Sequence, residues 1–294
     1  MYGIAESNRL MIFPRPSLQS ARLNAALAGA LIALFANTSA HAGPPFQTDD
    51  PDPVAFRHFE MYAFELSDGT GKNAGGTSLE VPAYEVNYGV VPNVQLHLVL
   101  PLTASFAPSG WPTNYGMGDS ELGAKIRFVK ETKRVPEVGI FPFFELPSGN
   151  ADKGLGVGKA WYKLPLWMEK DWGLWTACGG AGYQLVKQTN LRSFPYTGWL
   201  IKREMGKRLE LAAEIFAHGR EGLGAPQTGS SAMIDAGGYY HFKNPNTQLL
   251  FAYGHSVAGQ TENYAYLGMY WTWGKDRKAA RNALLSGQPG KGGF

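Results

Sequence analysis

Along an extended chain, residues two apart share a face, and that rule groups the ionisable residues able to act together. Glu121, Lys125 and Arg127 are separated by even steps, and so are Glu210 and Glu214. Leu122, Ala124, Ile126 and Phe128 oppose the first group; Leu209, Leu211, Ala213, Ile215 and Ala217 oppose the second. By the same parity Glu145, Lys163, Asp235 and His241 fall on the polar side of their own stretches. Charges of both signs on the inner face of a water-filled tube would set ion preference and solute polarity. Paired across strands, the same nine side chains would instead fill a narrow tube. Parity does not separate these outcomes. Phe141, Phe143, Trp161 and Trp167 share the inward parity, which would suit a small apolar or aromatic solute as well as simple packing.

Hydrolytic, metal and phosphate chemistry find little support. His255 and Ser256 are adjacent, so on a strand they point to opposite faces and cannot form the dyad that activates a serine. None of the six histidines (His41, His58, His97, His218, His241, His255) has a serine two positions on or a metal-ligand spacing. Gly154-Leu155-Gly156-Val157-Gly158 lacks the Lys-Ser/Thr pair and following helix of a phosphate loop, and is expected to be a flexible extracellular loop. Asp49, Asp50 and Asp52 offer oxygens that would suit Ca²⁺, but no further ligands are visible. The expectation is no enzyme activity, no metal and no cofactor. The Pro-rich stretch 43–55 is instead expected to be either a periplasmic lead-in or a plug that enters the lumen, with Phe46, Asp49 and Asp50 as the plug candidates.

Twelve alternating stretches position these residues: 56–68, 78–88, 94–106, 118–130, 137–147, 159–169, 174–187, 196–205, 209–218, 231–242, 248–256 and 263–273. The first two alternate poorly. Most are long enough to cross a bilayer when tilted, which takes about 9–11 residues. Odd-numbered connections are long and mostly Gly-rich, even-numbered ones short, as in an up-and-down bacterial barrel with surface loops at one rim and periplasmic turns at the other. The fold expected is all-β, a single transmembrane barrel of about twelve antiparallel strands over 56–273, with both ends periplasmic. Hydrocarbon offers no hydrogen-bond partners, so such a sheet must close on itself. Tyr62, Phe64, Tyr84, Tyr88, Phe106, Trp111, Trp172, Trp175, Tyr196, Trp199, Tyr239, Tyr240, Trp271 and Trp273 lie near strand ends and are expected to form interfacial girdles.

Residues 1–42 read as a cleavable signal peptide: Arg9, Arg15 and Arg22, then the apolar run Ala25 to Phe35, then Ala40-His41-Ala42. Met1 and Met11 are both possible starts. Removing this segment takes away three arginines and one glutamate, lowering the formal net charge from +3 to +1. That excludes a basic field of the kind nucleic acid needs. The single Cys178 excludes an intramolecular disulfide framework. Residues 274–294 are expected to form a periplasmic tail.

Four motifs in order carry a family resemblance. They are Pro44-Pro45-Phe46-Gln47-Thr48-Asp49-Asp50-Pro51; Tyr88-Gly89-Val90 with Asn93-Val94-Gln95-Leu96 and Pro101-Leu102; Gly118-Asp119-Ser120-Glu121-Leu122-Gly123-Ala124-Lys125; and Leu146-Pro147-Ser148-Gly149 with Gly154 to Gly158. Over most of 44–273 the chain resembles outer-membrane proteins assigned to transport in the meta pathway of phenol degradation. The resemblance implies a barrel in the bacterial outer membrane; it does not supply the solute. Gly268-Met269-Tyr270-Trp271-Thr272-Trp273 is similar to the last-strand signal read by barrel-assembly machinery, although residues follow it here.

The expected function is passive passage of a small solute through an outer-membrane channel or transporter, with hydrophobic or aromatic solutes among the candidates. A lipid-modifying enzyme and a pore-less structural barrel are the alternatives. Expected partners are outer-membrane lipid and lipopolysaccharide, the assembly machinery and a small-molecule solute, with no nucleic acid. The sequence leaves the oligomeric state open.

Overall fold

The computed structural model describes residues 44–70, 77–106, 113–186, 191–222 and 229–274. The signal segment, Trp111 and residues 275–294 lie outside them. Twelve antiparallel strands close into a barrel. They are β1 (His58–Thr70), β2 (Thr77–Val91), β3 (Val94–Phe106), β4 (Asn114–Met117 and Ser120–Val129), β5 (Glu137–Ile140 and Phe143–Leu146), β6 (Trp161–Trp172), β7 (Trp175–Val186), β8 (Phe194–Glu204), β9 (Leu209–His218), β10 (Ser231–His241), β11 (Thr247–Gly259) and β12 (Glu262–Gly274). Each pairs with its chain neighbours. β1 and β12 then pair from His58 opposite Gly274 to Thr70 opposite Glu262, so the sheet has no edge.

Two strands are interrupted for local reasons. The register of β4 against β3 slips by one residue at Gly118-Asp119, a bulge that turns Asp119 out of the ladder. In β5 the break falls at Phe141-Pro142, where proline has no N–H for the ladder, although the Pro142 carbonyl still accepts from Ala124 N at 3.1 Å.

Alternation places side chains as the spacing requires. Leu96, Leu100, Leu122, Leu164, Leu166, Trp199, Ile201, Ile215, Ile234 and Leu267 stand exposed on the outside. Gln95, His97, Glu121, Lys125, Lys163, Glu214 and Asp235 are buried inside. An exposed apolar belt around a buried polar interior inverts the order of a water-soluble domain.

Four girdle aromatics are not where strand-end position alone put them. Tyr62, Phe64, Tyr196 and Tyr239 face inward, because parity and not distance from the strand end decides the face. The weak alternation of β1 and β2 has a related cause. Phe64, Leu66 and Ala83 turn inward yet are apolar, since they belong to one buried apolar cluster with Phe46. The last connection is also shorter than expected: β11 runs on to Gly259, and only Gln260 and Thr261 separate it from β12. Gly259 has a φ of +81, and a Cβ there would strike the Ser230 carbonyl.

Loop 148–158 is folded back on the barrel by its own contacts. Its single 3₁₀ turn, Ala151–Lys153, is capped by Asn150. The Asp119 carboxylate accepts from Gly149 N at 2.8 Å and Val157 N at 2.6 Å, and Leu155 is buried beneath.

Candidate functional site

Residues 44–57 run through the barrel interior, from its middle to the short-turn rim. Contacts with eight strands around the circumference fix this path. Tyr264 Oη on β12 donates to the Pro45 carbonyl at 2.7 Å. The Glu214 carboxylate on β9 accepts from the backbone N–H groups of Gln47 and Thr48. Thr48 sits against Gly198 of β8, where any Cβ would collide with its hydroxyl. Cys178 on β7 donates its thiol hydrogen to the Asp49 carbonyl at 3.0 Å. Lys125 Nζ on β4 lies 3.0 Å from Asp49 Oδ1 and 3.2 Å from Asp50 Oδ1. Pro51 rests on Gly139 of β5. Val54 N donates to Gln95 Oε1 on β3 at 2.9 Å. On β2, Gly89 admits the carbonyls of Val54 and Ala55 into space that a side chain would fill.

The irregular backbone of this segment needs partners for its N–H and C=O groups, and the inward side chains supply them. The four family-like motifs therefore converge on one feature. The first is the segment itself. The second brings Gly89 and Gln95 against it, the third brings Lys125, and the fourth is tied to the third through Asp119.

The interior on either side of the segment is unequal. Toward the short turns lies a cavity of about 320 Å³, lined by Asp49, Asp50, Glu60, Glu85, Lys125, Glu169, Lys202, Glu210, Tyr239, His241 and others. Toward the long loops lie two cavities of about 20 and 40 Å³. The segment contributes to the lining of all three. It is the partition between them.

All nine charged residues singled out by spacing are internal, in three groups. Lys125 and Arg127 hold the segment: Arg127 Nη1 pairs with Asp52 and, at 3.1 Å, with Glu137. Glu121, Glu145 and Lys163 lie in the long-loop half. Glu121 Oε1 is 2.6 Å from His97 Nε2, whose Nδ1 is 2.8 Å from Asn87 Oδ1. Glu145 accepts from Trp161 Nε1 at 2.8 Å. The Lys163 ammonium stands 5.4 to 5.6 Å from the rings of Phe143, Trp161 and Tyr196, within cation–π range. Glu214 and Asp235 are buried opposite one another on β9 and β10, and Glu210 and His241 line the large cavity.

Phe46, Asp49 and Asp50 belong to this internal segment. Phe46 is wholly buried and meets Tyr239 at a centroid distance of 6.3 Å. Burial pushes the Asp49 carboxyl up to about 6, against the pull of Lys125 and with the help of Asp50.

The four inward aromatics proposed from parity form one cluster with Tyr196 and Phe216. Missed by sequence reading were Glu60, Glu85, Glu169 and Lys202 in the large cavity, where Lys202 Nζ lies 3.3 Å from Glu169. Glu169 stands two positions from Trp167 and Glu60 two from Tyr62, so parity was the signal that pointed to them. His255 and Ser256 are engaged apart: His255 Nδ1 lies 2.8 Å from Asn263 Oδ1, and Ser256 Oγ accepts from Glu262 N at 2.7 Å.

No family model and no curated protein matches the sequence. Solved structures do. An outer membrane channel from Pseudomonas putida F1 superposes with a TM-score of 0.61 at 12% identity, over 76% of this chain and 97% of that one. The NanC porin superposes with a TM-score of 0.50 at 9% identity, over 72% of this chain and 98% of that one. At these identities the likeness is one of fold.

Proposed function

We propose that the chain is a channel of the bacterial outer membrane, exported through residues 1–42, in which a small solute moves passively past the plug formed by residues 44–57. The exposed apolar belt supports the location: lipid is the solvent that surface suits. One observation carries the channel reading. The segment divides the interior into a wide polar cavity and two narrow ones, and irregular backbone rather than the barrel wall forms the partition.

The test is conductance in planar bilayers. Deleting 44–55 is expected to convert small or rare steps into larger, sustained ones. Identical traces from the full and deleted chains reject the plug, and an absence of steps from both rejects the channel.

The lining supports a small polar solute, since acidic and basic side chains dominate the large cavity. A second reading, an aromatic solute, is favoured by the Phe141, Phe143, Trp161, Trp167, Tyr196 and Phe216 cluster and by the resemblance to phenol-pathway transporters. Liposome swelling with matched polar and aromatic solutes separates the two.

A further inference from the structure

The rim made by the short turns carries a band of positive charge beside exposed aromatic rings. Among the described residues there, Lys133, Arg134, Arg203, Lys207, Arg208 and Lys243 are all exposed, on three different turns or the strand ends next to them. Asp52 on the internal segment, Asp171 and Glu204 are the exposed carboxylates at this rim among the described residues. Just inside this band, on the outer wall, Trp172 is 58% exposed and Trp175 42%. Charge and ring are physically joined. The Arg203 guanidinium lies 4.8 Å over the Trp175 ring, and the Lys170 ammonium 5.7 Å over Trp172.

Parity places Arg203 and Trp175 on the outside of their strands, since Lys202 and Cys178 face in. A tryptophan at that height sits where headgroups meet hydrocarbon. The cation it carries is then held at the level of lipid phosphate, and among the described residues no carboxylate forms an ion pair with the guanidinium. A soluble acidic partner would approach along the barrel axis. The rings on the outer wall point to lipid instead.

We propose that the short-turn rim is a binding surface for anionic phospholipid headgroups, with Arg203 on Trp175 as its anchor. This rests on the membrane reading above.

The experiment uses the purified full chain in detergent, offered equimolar phosphatidylglycerol and phosphatidylcholine, with retained lipid measured by native mass spectrometry. Wild type is expected to retain the anionic lipid in roughly tenfold excess, given the pull of clustered Lys and Arg on anionic headgroups. The R203Q/K207Q/R208Q variant is expected to fall to near parity. K133Q/R134Q/K243Q, on separate turns, is expected to lose part of the excess, which keeps the test open should the first variant misfold. K153Q/K159Q, on the opposite rim, is expected to match wild type. Equal retention of the two lipids by wild type, or an excess that survives both rim variants, overturns the proposal. A folded chain that takes up neither lipid and will not insert into vesicles of any composition sinks the membrane reading itself.

Discussion

Asp49 Oδ1 lies 3.0 Å from Lys125 Nζ, both side chains almost wholly buried, joining a segment that precedes the first strand to the middle of the fourth. Removing one partner of such a pair leaves a charge without compensation, at a cost of about 3–5 kcal/mol, whereas removing both charges together costs far less. Lys125→Ala should therefore release the segment and raise conductance. Asp49→Asn with Lys125→Met should lie closer to wild type than Lys125→Ala alone. A double variant as open as the single one would mean the pair does not hold the plug.

Ile126 is the neighbour of Lys125 in sequence and faces lipid. Ile126→Arg should impair insertion by about 2–4 kcal/mol, as arginine does on the lipid side near the midplane. Lys125→Ala should insert normally. Folding into vesicles, read by the heat-dependent shift of the band on a gel, checks both, and equal damage would contradict the facing.

Cys178 reports on the plug directly, because its thiol is covered by the Asp49 carbonyl. In the intact chain a polar maleimide should label it slowly. Gly89→Val, which places a side chain where the Val54 and Ala55 carbonyls sit, should speed labelling at least about tenfold, the factor for a 1.4 kcal/mol loss of docking. An unchanged rate would mean the segment tolerates the intrusion.

Asp119 ties down loop 148–158 with two backbone hydrogen bonds. Losing a charged acceptor for these half-buried N–H groups costs up to about 1–3 kcal/mol. Asp119→Ala should make the chain after Lys153 a site for trypsin that wild type resists. Equal resistance would assign the loop's order to Leu155 alone.

Strands β3, β9 and β12 were legible in the sequence because lipid on one side and a polar interior on the other enforce opposite chemistry at successive residues. The nine interior charges followed from the same parity. β1 and β2 were obscured because part of the interior they face is apolar, a cluster that includes Phe46, which lies outside any strand. The path of residues 44–57 has no period to read. It is set by single complementary contacts: a hydroxyl against Gly198, carbonyls against Gly89, two N–H groups against Glu214. Tyr62 and Tyr196 were misplaced when closeness to a strand end was allowed to outweigh parity.

The Pro45 carbonyl and Tyr264 Oη are 219 positions apart, and Thr48 is 166 from Glu214. The earliest described stretch of the chain thus gains its last partner only when β12, the final strand, has been made. Since β1 and β12 seal the wall, the order of events in assembly matters: the leading residues must already be inside when the final seam zips, or thread in afterwards through a rim. Chains halted before β12 would lack the seam and the Tyr264 anchor on Pro45, leaving the inner end of the leading segment without its last tether.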